Sequence, residues 1–187
     1  MLYQITSLLL ETIAGFIAGT CLLRLYMQYQ RIPMTARSNP VAQFIFALTN
    51  WLVLPLRRVV PSVGRWDMAS LVAAYLVILA EVLVFWLLAS MVASLLSEVV
   101  LAVFVLVRMA ITGMTVLVII YAVLSWVQTQ SPMVDLMERL VMPLLIPIRR
   151  VIPLVGGLDL SPFVLLLLLQ IVGIVLGSIQ GTVLLAI

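Results

Sequence analysis

The chain has 187 residues, of which 65% are hydrophobic and 9% charged, with ten basic side chains, seven acidic ones and no histidine. Soluble domains carry roughly a quarter charged residues, so this composition excludes a soluble globular protein and points to one that lives in lipid. Without histidine, and with Cys21 as its single cysteine, the chain lacks the usual zinc site, haem ligand, general base and internal disulfide. No metal, no cofactor and no enzymatic activity are expected, because no nucleophile, base and metal constellation is visible.

A bilayer core of about 30 Å takes roughly 20 apolar residues in a helix, and four runs qualify, at about 2–25, 68–96, 99–127 and 160–187. The first lacks the basic start and small-residue cleavage site of a signal peptide, and Glu11 interrupts where an apolar core would lie. It is expected to stay in the mature protein, and no Arg- and Ser-rich leader marks organelle import. Gly15-x-x-x-Gly19 reads as a face for close helix approach.

After this run, Asn39-Pro40 reads as a helix cap followed by the first helical position. Val41, Phe44, Ile45, Leu48, Trp51 and Leu52 then form one helical stripe over about 40–54. A helix this short cannot span, and Gln43, Thr49 and Asn50 favour its lying flat at the interface over a re-entrant dip. Pro55 is expected to end it, with the chain running extended through Arg57-Arg58 and kept so by Pro61. Gly64 allows a reversal, and Asp67 offers an oxygen to the free amides of the second run.

The second run contains Glu81 and is separated from the third, which contains Arg108, by Ser97-Glu98, read here as a tight turn. Ser131-Pro132 opens a second amphipathic helix over about 132–146, striped by Met133, Leu136, Met137, Leu140 and Val141, with Asp135, Glu138 and Arg139 as its polar positions. Pro147, Pro153, Gly156 and Asp159 take the roles of Pro55, Pro61, Gly64 and Asp67, with Ser161-Pro162 as a rival cap. In the fourth run Gly173, Gly177 and Gly181 allow close approach, and Gln170 and Gln180 are packing residues able to bond across helices. The ten methionines read as packing or lipid-facing residues rather than metal ligands.

The loop phrase occurs twice. Pro55-Leu-Arg-Arg-Val-Val-Pro-Ser-Val-Gly-Arg-Trp-Asp67 matches Pro147-Ile-Arg-Arg-Val-Ile-Pro-Leu-Val-Gly-Gly-Leu-Asp159 at eight of thirteen positions. The expected fold is therefore an all-α membrane protein of two repeats, 1–96 and 97–187. Its four transmembrane helices form two parallel helical hairpins, each with an interfacial or re-entrant amphipathic helix in its cytoplasmic loop.

All ten basic residues are arginines. Arg24, Arg31, Arg37, Arg57, Arg58 and Arg65 fall in or beside the first connection, and Arg139, Arg149 and Arg150 in or beside the second. The positive-inside bias then puts both loops in the cytoplasm and both termini outside, most simply in a bacterial inner membrane. Repeats of one orientation are related by an approximate two-fold axis along the membrane normal.

Guanidinium groups bind phosphate in a bidentate manner and stay charged in poorly hydrated places. Arg57, Arg58, Arg149 and Arg150 are accordingly read as holding anionic lipid head groups, with an acidic protein partner and a soluble anion as the other readings. Glu11, Glu81 and Arg108 should face protein or water. Aligning Gln28-Tyr29 with Ser125-Trp126 gives an offset of 97 that makes Glu11 and Arg108 equivalent. A Glu11 to Arg108 bridge is favoured, with Glu81 as competing partner and an ion or proton path as the alternative.

The doubled Pro-Leu/Ile-Arg-Arg-Val-Val/Ile-Pro phrase, with Asn39-Pro40 upstream and Gly-x-x-Asp downstream, resembles the YggT (YlmG) family of small bacterial and plastid membrane proteins. The run Gly156-Gly157-Leu158-Asp159-Leu160-Ser161-Pro162 is similar to the family's motif, and the resemblance covers both halves. It implies a two-repeat membrane protein associated with osmotic or ion homeostasis, with cell-division gene neighbourhoods or, in plastids, with cytochrome assembly and nucleoid organisation. It implies no shared reaction, and without histidine the haem association does not transfer to these residues. Arg65-Trp66 in place of Gly157-Leu158, and an apparent five-residue expansion around Gln30 to Arg37, make the halves unequal.

Two functions are thus expected in contention. One is a scaffold or assembly factor binding anionic lipid and a membrane or cell-division protein through its arginines, and the other an ion-conducting or osmotic-response protein using Glu11, Glu81 and Arg108. Direct nucleic-acid binding is not expected, and the glycine faces offer a route to a homo-oligomer whose state the sequence leaves open.

Overall fold

The computed structural model describes residues 2–32, 40–88, 94–127, 132–151 and 159–186. Asn39, Ser131, Pro153 and Gly156, given roles above, lie outside the described residues. The elements are α1 Leu2–Tyr29, α2 Pro40–Arg57, α3 Met68–Leu88, α4 Leu95–Val127, α5 Pro132–Arg149 and α6 Ser161–Ala186. Among the described residues there is no strand beyond one isolated bridge. Four of the helices, α1, α3, α4 and α6, are long and apolar enough to cross a membrane. The chain divides into two compact units, residues 1–110 with 179–187, and residues 111–178, so that α4 and α6 each contribute to both.

In the first unit α1 packs on α3, and α2 packs against both. Small side chains make this possible: Ala18 and Cys21 of α1, Ala69, Ala73 and Ala74 of α3, and Ala102 of α4 are fully buried beside Ile78 and Val53. Between apolar helices in lipid, association rests on such close van der Waals packing. The glycines do not carry it as expected. A Cβ on Gly19, Gly173 or Gly181 would have no atom within 4 Å, and one on Gly15 would meet only the Met109 side chain at 3.8 Å.

The first helix runs a turn beyond the expected residue 25 and closes with a Schellman arrangement. Arg31, at φ 55, donates its amide to Gln28 O, and Ile32 donates to Met27 O across the turn. Met27 and Ile32, the positions whose apolar contact commonly accompanies such an end, are both buried. The left-handed region costs a non-glycine residue about 1 kcal/mol, so Arg31→Gly should raise stability by roughly that amount, seen as a higher Tm in detergent. A lower Tm would contradict this geometry.

The amphipathic helices run three residues longer than expected, because Pro55 and Pro147 do not end them. Both prolines, and Pro143, lie inside helices and on exposed positions. The carbonyl each leaves without its amide partner lies on the same outward face, so polar surroundings can satisfy it while the opposite stripe stays buried. Along α2 that stripe is Ala42, Ile45, Thr49 and Val53, whereas Phe44 and Trp51, expected within the stripe, are exposed. Along α5 it is Leu136, Met137, Leu140, Val141 and Leu145.

Ser97-Glu98 is a helix start rather than a turn between spans. The second span ends at Leu88 instead of 96, and α4 begins at Leu95. Ser94 Oγ accepts the Ser97 amide at 3.1 Å, and Glu98 stands in the first turn, where the helix dipole favours an acid. The polar residues that look like a break therefore lie in the first turn of α4, behind the Ser94 cap.

Candidate functional site: a repeated arginine–aspartate latch

Beyond α2, the chain does not run extended through the arginine pair. Arg57 is the last helical residue, Arg58 lies in the following turn with its amide on Pro55 O, and Val59 and Val60 both donate to Leu56 O. Past Pro61, which is exposed, Val63 and Trp66 exchange two backbone hydrogen bonds around Gly64-Arg65. Gly64 has φ 61 and Arg65 a negative φ, the geometry of a II′ turn that only its first residue needs glycine for. This reversal returns the chain to α2 and brings Asp67 to Arg57.

Arg57 grips Asp67 with two nitrogens, Nη2 to Oδ2 at 2.6 Å and Nε to Oδ1 at 3.4 Å. Ser70 Oγ donates to the same Oδ2 at 2.7 Å, and the Asp67 carbonyl accepts the amides of Ser70 and Leu71 to open α3. Asp67, expected as a cap, has its side chain buried as a counter-ion. Arg24, assigned to the loop charges, is inside α1 and 2% exposed. Its Nη1 donates to Thr49 Oγ1 at 2.7 Å and Asn50 Oδ1 at 2.9 Å, its guanidinium stacks 4.7 Å from the Phe46 ring centroid, and its Nε stands 3.7 Å from Asp67 Oδ2. One cluster thus ties α1, α2 and the start of α3 together at a single carboxylate.

The second repeat builds the same latch from equivalent positions. Arg149, last residue of α5, donates to Asp159 Oδ2 from Nη2 at 2.5 Å and from Nε at 2.9 Å. Asp159 Oδ1 accepts the Ser161 amide at 2.9 Å, capping α6. Tyr121 accepts from Arg149 Nη2 at 3.0 Å, and the offset of 97 makes Tyr121 the counterpart of Arg24. The offset of 92 makes Met142, whose thioether faces Arg149 Nη1, the counterpart of Asn50. The halves differ in polarity: the first sets two arginines and Ser70 around a fully buried aspartate, with Thr49 and Asn50 on the inner arginine, and the second has one arginine with a tyrosine and a thioether.

Burial alone would push both carboxyls up. At Asp67 the hydrogen bonds of Arg57 and Ser70 and the charges of Arg57 and Arg24 reverse this, holding it below the ordinary 3.8. At Asp159 the Ser161 side chain and amide and Arg149 do the same. For Arg149, burial lowers the pKa and the bonds to Asp159 and Tyr121 more than offset it, so its value is raised. A depressed aspartate contributes stability fully above the unfolded value and loses it as pH falls through the folded one. Tm should therefore be level near neutral pH and drop below about pH 4. Asp67→Asn should lower the level and shrink the acid drop, and an equally steep drop in that variant would refute the assignment.

The remaining named residues fall outside the latches. Arg58, Arg65 and Arg150 are exposed and make no ion pair among the described residues. Arg108 Nη2 donates to Gln180 Oε1 at 2.8 Å, so Gln180, expected as a packing residue, is a polar partner across helices. Glu11 is exposed, and Glu81, half-buried, lies within electrostatic reach of it. No three His, Cys, Asp or Glu side chains stand together as a metal site among the described residues.

Fold and site together define an all-helical protein with four membrane-length apolar helices and one Arg–Asp latch in each sequence repeat. The chain belongs to the CCB3/YggT family, whose profile matches residues 3–88 and 100–180. It is 35% identical to an uncharacterised protein from the proC 3′ region of Vibrio alginolyticus, over 95% of this chain and 96% of the other. It is 34% identical to uncharacterised protein YggT of Escherichia coli K12, over 89% and 86%, and 32% identical to an uncharacterised protein of Pseudomonas aeruginosa, over 88% and 84%. No solved structure matches.

Proposed function

We infer that the protein is a non-enzymatic membrane scaffold or assembly factor of the bacterial inner membrane, with both repeat loops cytoplasmic. Its arginines engage anionic lipid and a membrane or cell-division protein. The observation that carries this reading is the division of labour within each arginine pair. Arg57 and Arg149 are spent on internal aspartates, whereas Arg58 and Arg150 stand exposed in the turn just beyond the helix, free to meet phosphate or carboxylate. The roles first given to all four arginines thus belong chiefly to Arg58 and Arg150, with Arg65 beside the first. Joint Arg58→Glu and Arg150→Glu should abolish specific crosslinks to a neighbouring membrane protein in native membranes without affecting insertion. An unchanged crosslink pattern would count against the reading.

The placement of Glu11, Glu81 and Arg108 inside membrane-length apolar helices, with Arg108 bonded to Gln180, supports ion conduction or osmotic response as the second reading. Cation flux from liposomes holding folded protein, above that of empty vesicles, supports it, and flux equal to empty vesicles excludes it.

A further inference from the structure

Beside the first latch, Gln28, Arg31, Ile32, Phe46 and Arg57 line a cavity of about 320 Å³. The end of α1 supplies Gln28, its closing turn Arg31 and Ile32, and α2 the other two. Asp67 occupies the Nε and Nη2 edge of Arg57, and Gln28 Oε1 takes a further bond from Nη2 at 3.3 Å. Both protons of Arg57 Nη1 are left without a hydrogen bond among the described residues. Arg31 is exposed and in no ion pair among them. Phe46 forms an apolar wall backed by the Arg24 guanidinium.

The charge here is unbalanced. Arg24, Arg31 and Arg57 bring three positive charges to the latch and its cavity, and Asp67 returns one. Helix C-termini ordinarily repel anions, but at the end of α1 the carbonyls of Met27 and Gln28 are occupied by the amides of Ile32 and Arg31. Ligand pockets begin near 300 Å³, so the volume suits a phosphate with a short substituent.

We propose that this cavity binds a phosphate group, free or esterified in a lipid head group, between Arg31 and the Nη1 edge of Arg57. The ligand differs from a diffuse head-group cloud in being held by two guanidiniums against an aromatic wall. The proposal rests on the function inferred above only in placing the end of α1 at head-group level.

The test uses the full chain in phosphatidylcholine nanodiscs, with two probes. Phosphatidylglycerol retention is read by native mass spectrometry, and inorganic phosphate binding by calorimetry. Arg31→Gly removes the cation while relieving the left-handed strain, so an undiminished Tm separates lost binding from unfolding. It should weaken one probe about tenfold, as expected for losing a charge-assisted contact, while Arg139→Gln, at an exposed position on α5 away from both arginine pairs, leaves that probe within about twofold. Sensitivity of phosphatidylglycerol alone assigns a lipid head group, and of inorganic phosphate alone a soluble ligand. If Arg31→Gly changes neither probe, the cavity proposal is overturned. If Arg58→Gln and Arg150→Gln then lower lipid retention, the exposed-arginine reading survives it, and if they too have no effect, the lipid part of that reading falls with it.

Discussion

Asp67→Ala should destabilise the protein by about 3–5 kcal/mol, several times the loss from Asp159→Ala, although the two residues hold the same place in the repeated phrase. The difference lies in burial. Asp67 is 0% exposed and its removal strands Arg24, itself 2% exposed, away from water. An uncompensated buried charge is what makes breaking a buried pair costly. Asp159 and Arg149 retain 24% and 33% exposure, so solvent screens what is left behind, and the loss should be about 1–2 kcal/mol. Chemical unfolding in mixed micelles measures both, and equal losses would remove the asymmetry on which this account of the halves depends.

The second large effect is expected at Arg24. Arg24→Met keeps much of the volume but leaves Asn50 Oδ1 without its donor, and it withdraws a cation from Asp67. A loss of about 2–4 kcal/mol should result. Thr49 Oγ1 still donates to Ile45 O, so Asn50→Leu in the Arg24→Met background should recover part of the loss, roughly 1 kcal/mol, by removing the orphaned acceptor. Arg24→Lys should fall well short of wild type, because an ammonium cannot hold two acceptors, an aromatic face and a carboxylate at once. Full stability in Arg24→Lys would show that only charge matters here.

The four apolar runs, the duplicated phrase and the helix starts at Pro40 and Pro132 were legible because each depends on local spacing or on one residue's backbone chemistry. The latches were not. Arg57 and Asp67 lie ten positions apart across a turn whose return path depends on Gly64, and adjacent arginines look alike until the helix end separates them. Arg24 did carry a signal. It continues the small-residue series Ala14, Ala18 and Cys21 at helical spacing, and so belongs to the buried face of α1 rather than to the loop. Thr49 likewise lies four positions after Ile45 and four before Val53, on the packed stripe, where a polar residue calls for a partner. Ser97-Glu98 misled because a short polar pair between apolar runs reads equally as a turn and as a helix start. The Ser94 cap, three residues upstream, decides between them. Pro55 and Pro147 misled because a proline's cost depends on which way the freed carbonyl faces, and that is set by packing.

The central claim is that the first arginine of each pair is locked to an aspartate and the second is not. Double-mutant cycles test it most directly, pairing Asp67 with Arg57 and then with Arg58, and Asp159 with Arg149 and then with Arg150, with unfolding free energy as the readout. Coupling of about 1 kcal/mol or more is predicted for Arg57–Asp67 and Arg149–Asp159, and near zero for the pairs made with Arg58 and Arg150. Equal coupling from both arginines of a pair, or none from either, would contradict it.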